Sequence, residues 1–203
     1  MTSPHALLYD CYYHIYNRGN NRENIFVEER NYVHFLKLYV KYIDPVAETF
    51  AYSLLRNHFH VLVRIKSEDE ISLPNKTGKP IGPGFASQQF SNFFNAYAKS
   101  INKAYNRTGS LFQHPFGRVA VTSDRQFFNA VRYIHQNPQK HQFVTDFRDW
   151  KWSSYESLVS DRPTHLGRET VLEWFRTRQE YLQLHAEWVL DAQMRWFADD
   201  DHD

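Results

Sequence analysis

The chain has almost no cysteine: of its 203 residues, Cys11 is the only one. One thiol cannot close a disulfide within the chain, and it excludes a site built from several thiolates. Cys11 is read as a small residue at the entry to a strand. Long apolar runs are also missing; none approaches the roughly 18 residues of a membrane-spanning helix. Residues 1–9 lack a basic segment followed by an apolar one, so no leader peptide is expected and a cytoplasmic protein follows. There are no internal repeats. The middle of the chain lacks acid: between residues 71 and 142, nine Lys and Arg stand against a single acidic residue, Asp124.

What is abundant is aromatic. The 13 Tyr, 16 Phe and 5 Trp can fill a core, and the same side chains stack on nucleobases. The net charge of +1 hides an asymmetry: residues 1–155 carry 19 basic and 12 acidic residues, and residues 156–203 carry 5 and 11. A basic body suits a polyanion, because Lys and Arg that meet phosphates release condensed counterions. The shift in charge divides the chain into a domain over 1–155 and an acidic, helical extension over 156–203.

Periodicity gives the elements. Residues 12–18 (YYHIYNR) are aromatic and β-branched, as strands are, and the turn-rich NRGNNREN follows. Val33, Leu36, Val40 and Ile43 recur at helical spacing from Glu28 onward, and Pro45 ends that helix. Residues 48–55 and 58–65 make two strands joined by a short Arg56-Asn57 turn. The prolines and glycines between 66 and 86 mark a long loop. A helix over 87–106 is predicted from Phe90, Phe94, Tyr97 and Ile101, with Ser87 as its N-cap. Residues 116–122 are a fourth strand. Ser123 or Asp124 caps a last helix that Pro138 closes. The order β-α-β-β-α-β predicts an α+β, ferredoxin-like sandwich: an antiparallel sheet with helices on one face, plus an added helix. Residues 149–155 (DWKWSSY) are read as a packed extended segment. Residues 168–197 are read as one or two helices with Trp174, Tyr181, Leu184 and Trp188 along a stripe, and the final ADDDHD as frayed.

Side chains alternate across a strand. In the third strand Phe59, Val61, Val63 and Ile65 share one face and must lie under the helices. His58 and His60 share the other, about 7 Å apart along the strand, which suits two ligands of one divalent ion. On the last helix Phe127, Ala130, Val131 and Ile134 form the core stripe. Gln126, Asn129, Tyr133 and Asn137 form a polar one. If that helix covers the histidines, the Asn137 amide oxygen becomes a third ligand and the Tyr133 phenol a nucleophile for a phosphodiester. Mg²⁺ or Mn²⁺ is the expected ion, imidazoles favouring the softer Mn²⁺. Among other tyrosines Tyr97 falls on an apolar stripe, and Tyr105, in a basic stretch, is the rival nucleophile. Asn17, Arg18, Asn20, Asn21 and Arg22 after the first strand, Lys99, Lys103 and Arg107 around the end of the second helix, and Arg118 and Arg132, expected to flank the site, are the candidate DNA contacts.

The segments YHIYNRGNNRENIF (13–26), LLRNHFHVLVRI (54–65), NRTGSLFQHPF (106–116) and VRYIHQNP (131–138), followed by DWKWSSY, resemble the HUH single-tyrosine transposases, specifically the REP-associated tyrosine transposases. The resemblance spans roughly residues 10–155. It implies metal binding by His58 and His60, a nucleophilic Tyr133 in a Tyr-x-x-x-Asn pattern, and Asn137 as a further ligand. It further implies a 5′-phosphotyrosine intermediate and action, as an endonuclease and strand-transferase of the bacterial nucleoid, on single-stranded DNA beside palindromic hairpins, by a monomer or a homodimer. A hairpin-binding protein that does not cut, and a replication-initiator or relaxase enzyme with the same metal motif, are the alternatives.

Overall fold

The computed structural model describes residues 6–71 and 84–189. The centre of the proline- and glycine-rich loop, the start of the chain, the end of the tail and its final ADDDHD lie outside them. Strands β1 (Tyr12–Arg18), β2 (Ala47–Leu54), β3 (His58–Ile65) and β4 (Gly117–Val121) form one antiparallel sheet in the order β2-β3-β1-β4. Helix α1 (Glu29–Tyr42) links β1 to β2, and α2 (Phe85–Ala104) lies between β3 and β4. This is the ferredoxin-like arrangement expected from the order of elements.

Strand alternation sorts the sheet into two faces. Tyr13, Ile15, Phe59, Val61, Val63 and Ile65 are buried in one core with α1 and α2. The opposite face is also covered. Helix α3 (Asp124–Lys140) lays Phe127, Ala130, Val131 and Ile134 on Phe50, Ala51, Leu62 and Val121. Fully burying one such aliphatic side chain is worth roughly 1.5–3 kcal/mol, so this second core fixes α3 over β2 and β3. The alternation along β3 puts His58 and His60 on the face away from that first core. That face is free of α1 and α2, but it carries a smaller core of its own.

Three local expectations are corrected. The buried side of α1 is aromatic, with Tyr32, Phe35 and Tyr39, and leaves Val33 and Val40 exposed; three rings bury more apolar area than two valines, so the helix turns to hide them. Helix α2 starts at Phe85 behind Gly84, whose φ of 113° only glycine adopts readily. Helix α3 runs through Pro138 to Lys140. Pro138 falls within the last turn, where its missing N–H removes one bond without ending the helix. Ser123 caps α3 by accepting from Gln126 N at 3.3 Å.

The segment after α3 straps the β2 edge, which would otherwise offer unpaired backbone groups. Leu54 N donates to Trp152 O at 2.9 Å, Trp150 Nε1 to Leu54 O at 3.0 Å and Ser154 N to Tyr52 O at 2.9 Å. Helices α4 (Tyr155–Val159), α5 (Arg168–Trp174) and α6 (Arg178–Ala186) then fold against α3. Phe175 packs on Phe128 and Trp174 on Phe127, both with centroids 4.4 Å apart. Of the expected tail stripe Tyr181 is buried and Trp188 is exposed; Val171 and Phe175 take up the burial instead. Among the described residues no helix is long and apolar enough to cross a membrane.

Candidate active site

Strand β3 delivers His58 and His60 to the face beneath α3, with ring centroids 5.1 Å apart. The neighbouring β1 runs antiparallel in a register that pairs Tyr16 with His60 and Arg18 with His58. It thereby brings His14 and Tyr16 to the same face. Helix α3 arrives within the same chain. Its Tyr133 ring stands edge-on to His60, centroids 5.9 Å apart, and Asn137 Oδ1 lies 3.2 Å from His58 Nε2. Lys140, one turn on from Asn137, holds its Nζ 4.9 Å from the Tyr133 ring centre. His141, just past the helix, packs against His58 at 4.9 Å between centroids.

The centre of this cluster is dry: His14, His58, His60, Tyr133 and Asn137 are each 5% exposed or less. Burial pushes His14 and His58 down to about 3, the latter with further repulsion from His141 and Arg18. Burial holds His60 well below the ordinary imidazole range, with help from His14, His58, His141 and Lys140. The three rings are therefore neutral at neutral pH, as metal ligands must be.

Neutrality constrains the protons. His58 Nδ1 lies 2.7 Å from Asn57 Oδ1, an oxygen that can only accept, so Nδ1 carries the hydrogen. The other nitrogen, Nε2, then presents a lone pair, and it faces another acceptor, Asn137 Oδ1. Two lone pairs 3.2 Å apart repel unless a cation lies close to both. Among the described residues, His60 Nε2 and Asn137 Nδ2 are buried with no hydrogen-bond partner. These groups fit a cation of the kind the sequence implied. No set of three His, Cys, Asp or Glu side chains among the described residues could hold a metal ion, so an ion here would combine two imidazoles with the amide oxygen and leave positions open for a substrate.

A small cleft opens beside the histidines, lined by Tyr16, Asn17, Arg18, His58, His60 and Gln113 among others. Tyr16 lies flat over Gly117: a Cβ there would meet the ring at 2.1 Å, so only glycine lets the tyrosine lie there. Of the candidate DNA contacts, Asn17 and Arg18 line this cleft. Asn20 bonds Ser110 O at 3.0 Å, and Asn21 and Arg22 form the exposed turn with φ of 53° and 59°. Lys99 and Lys103 are exposed on α2, behind the sheet, and Arg107 bonds Asn102 and pairs with Glu23. The expectation that Arg118 and Arg132 flank the histidines is corrected. Arg118 shares the α2 face with Ile15, stacks 3.8 Å from the Phe116 ring centre and bonds Ser87. Arg132 turns inward to Glu187 O at 2.8 Å. Tyr105, the rival nucleophile, bonds Glu28 and Asn31 on the α1 side of the sheet. Sequence reasoning missed His14, Tyr16, Lys140 and His141. The parity of β1 would have offered the first two, had the β1–β3 register been known.

No family model matches the chain. In sequence it is similar to a Haemophilus influenzae protein named as a REP-associated tyrosine transposase, 27% identical over 115 residues, a match covering 55% of this chain and 61% of that protein. The chain thus spans less than two thirds of that relative's length. In fold it is similar to a solved structure described as a REP-associated tyrosine transposase bound to a REP hairpin. The TM-score is 0.58, with 17% identity, over 80% of this chain and 88% of that one. At that identity the likeness speaks for the fold. The relative found by sequence thus bears the name of the family that the chain's own motifs resemble, the REP-associated tyrosine transposases, and the chain's fold is one that a protein so described also has.

Proposed function

We propose that the chain is a metal-dependent endonuclease and strand-transferase that cuts single-stranded DNA beside palindromic hairpins through a covalent 5′-phosphotyrosine on Tyr133. The observation that carries this is the packing of α3, which holds Tyr133 and Asn137 against His58 and His60 in one buried site. The hairpin as partner comes from the description of the structural relative, and the basic middle of the chain is the surface chemistry that would meet it.

His58, His60 and Asn137 are the residues that would hold Mg²⁺ or Mn²⁺. When bound, the ion would neutralise charge on the scissile phosphate and orient it. The chain's own groups do the rest. Helix α3 presents the Tyr133 phenol from a rigid element, which turns attack into a positioned, intramolecular-like step. In that step the Tyr133 Oη–P bond forms and the P–O3′ bond breaks, and the phenol proton ends on the released 3′-hydroxyl. The ester stores the bond energy, so a second 3′-hydroxyl can displace the tyrosine and rejoin strands without an external energy source. The Lys140 ammonium places positive charge beside the attacking group. Burial excludes competing water.

The test is to incubate the chain with Mn²⁺ and a hairpin-bearing oligonucleotide labelled at its 5′ and 3′ ends in turn. The expected result is a denaturant-stable protein–DNA adduct carrying the 3′ part of the strand, lost on chelation and in Tyr133→Phe. An adduct that persists in Tyr133→Phe and vanishes in Tyr105→Phe overturns the choice of nucleophile. Tight hairpin binding with no adduct under any divalent ion overturns the cleavage reading and leaves a binding protein.

A further inference from the structure

The His58 and His60 rings are each tethered at Nδ1, but by different partners. His58 Nδ1 meets Asn57 Oδ1 at 2.7 Å, and His60 Nδ1 meets His14 Nε2 at 2.9 Å. The His14 and His60 planes differ by 11° with centroids 5.1 Å apart. That separation is the nitrogen–nitrogen distance plus two ring radii, so the rings meet edge to edge in nearly one plane along a good hydrogen bond.

Two proton arrangements fit that bond. In one, His14 Nε2–H donates to His60 Nδ1. If His60 carries a single hydrogen, it is then on Nε2, an atom buried with no acceptor among the described residues. In that arrangement Nε2 has no lone pair to offer a cation. In the other, His60 Nδ1–H donates to His14 Nε2, the hydrogen of His14 then sits on its own buried Nδ1, and the His60 Nε2 lone pair is available to a cation; burial alone does not choose between the two arrangements, and only the second can bind a metal ion. His58 is already in that state, because Asn57 imposes it. Metal-binding histidines generally need such a partner to fix tautomer and ring orientation.

We propose that His14 is a positioning residue, which accepts the Nδ1–H of His60 and holds it in the tautomer that can bind a metal ion at Nε2. This rests on the metal-site reading above. His14 does not touch the ion or the substrate. Its effect passes through one hydrogen bond set by the β1–β3 register. The substitution that keeps the function is therefore defined by chemistry: His14→Gln supplies an amide oxygen that can accept, whereas His14→Leu fills similar space and cannot.

Two measurements test it. In the wild-type chain loaded with diamagnetic Mg²⁺, ¹⁵N chemical shifts of labelled histidine should report His60 protonated at Nδ1; protonation at Nε2 in the loaded chain overturns the proposal with no variant needed. Mn²⁺ affinity, read by electron paramagnetic resonance of the free ion, should fall roughly 10- to 100-fold in His14→Leu and recover most of that loss in His14→Gln. A folded His14→Leu that binds Mn²⁺ as tightly as wild type overturns this proposal alone. A wild-type chain that binds no Mn²⁺, with or without the hairpin oligonucleotide, overturns the metal reading and this proposal with it.

Discussion

Two buried histidine clusters flank α3, and they are built in opposite ways. On the tail side every ring nitrogen has a protein partner. His185 Nδ1 donates to Tyr181 O at 2.8 Å, because a carbonyl can only accept. Burial pushes His185 down to about 3, so its Nε2 is an acceptor and takes the hydrogen of His135 Nδ1 at 2.9 Å. His135 Nε2 in turn accepts from Ser154 Oγ at 2.7 Å, and Ser154 Oγ accepts from Tyr52 N at 2.8 Å. The proton positions are fixed from end to end, and the chain of bonds ties α6, α3 and the β2 edge together. On the sheet side the same kind of residue, equally buried, leaves His60 Nε2 and Asn137 Nδ2 without partners among the described residues and sets His58 Nε2 against an acceptor. A satisfied network rigidifies, and buried polar groups without partners call for a water, an ion or a catalytic role to account for them. The difference is what distinguishes a structural histidine from a candidate ligand here, since burial and lowered proton affinity are common to both.

The comparison breaks first if the clusters exchange roles in activity. His58→Ala or His60→Ala should lower Mn²⁺-dependent adduct formation by roughly three orders of magnitude, as loss of several kcal/mol of charge stabilisation implies. His185→Leu should leave Mn²⁺ affinity in the wild-type range. Gel quantitation of the adduct and Mn²⁺ titration decide between them; a His185→Leu chain that folds but no longer binds Mn²⁺ would end the distinction. The next effect is on stability and runs the other way. His185→Leu removes the acceptor of the His135 N–H and should cost roughly 2–4 kcal/mol, read as a lower urea midpoint.

Acid sharpens the contrast further. His185 titrates at about 3 in the folded chain against an ordinary 6.5, so the unfolded chain binds the proton first. Its contribution to stability is complete above about pH 6.5 and is lost as the pH falls toward about 3. Between about pH 7 and about pH 5 this imidazole alone should account for about 2 kcal/mol of destabilisation. Chemical denaturation across that window should show a shallower pH slope in His185→Leu than in wild type. Identical slopes would mean that the ring is not held neutral. The smallest effect expected is that of Tyr105→Phe, whose hydroxyl bonds Glu28 and Asn31 on the far side of the sheet; adduct yield should not change.

Particular residues mark how far the sequence could be read. The bounds of β1 and β3 were legible because aromatic and β-branched runs lie between clear turns. The shared face of His58 and His60 was legible because strand parity needs no partner. Tyr133 and Asn137 were legible as a polar stripe because α3 is strongly amphipathic. The rotation of α1 was not, since Val33 and Val40 share the helical spacing with the rings that displaced them. Arg118 illustrates the limit on strands: its face follows from the pairing of β4 with β1, which is a long-range fact. The His135–His185 pair joins residues 50 apart through the folding of a tail that carries no motif.

By itself the sequence determined the order of elements, the shared face of His58 and His60 and the shared stripe of Tyr133 and Asn137, because local periodicity sets these through backbone geometry alone. Only the tertiary structure decided that α3 covers the histidines within one chain, that His14 meets His60 and that the tail closes over the other side of α3. Those outcomes depend on strand register and on how two cores pack. Contacts between distant segments settle them, and no local pattern encodes those contacts.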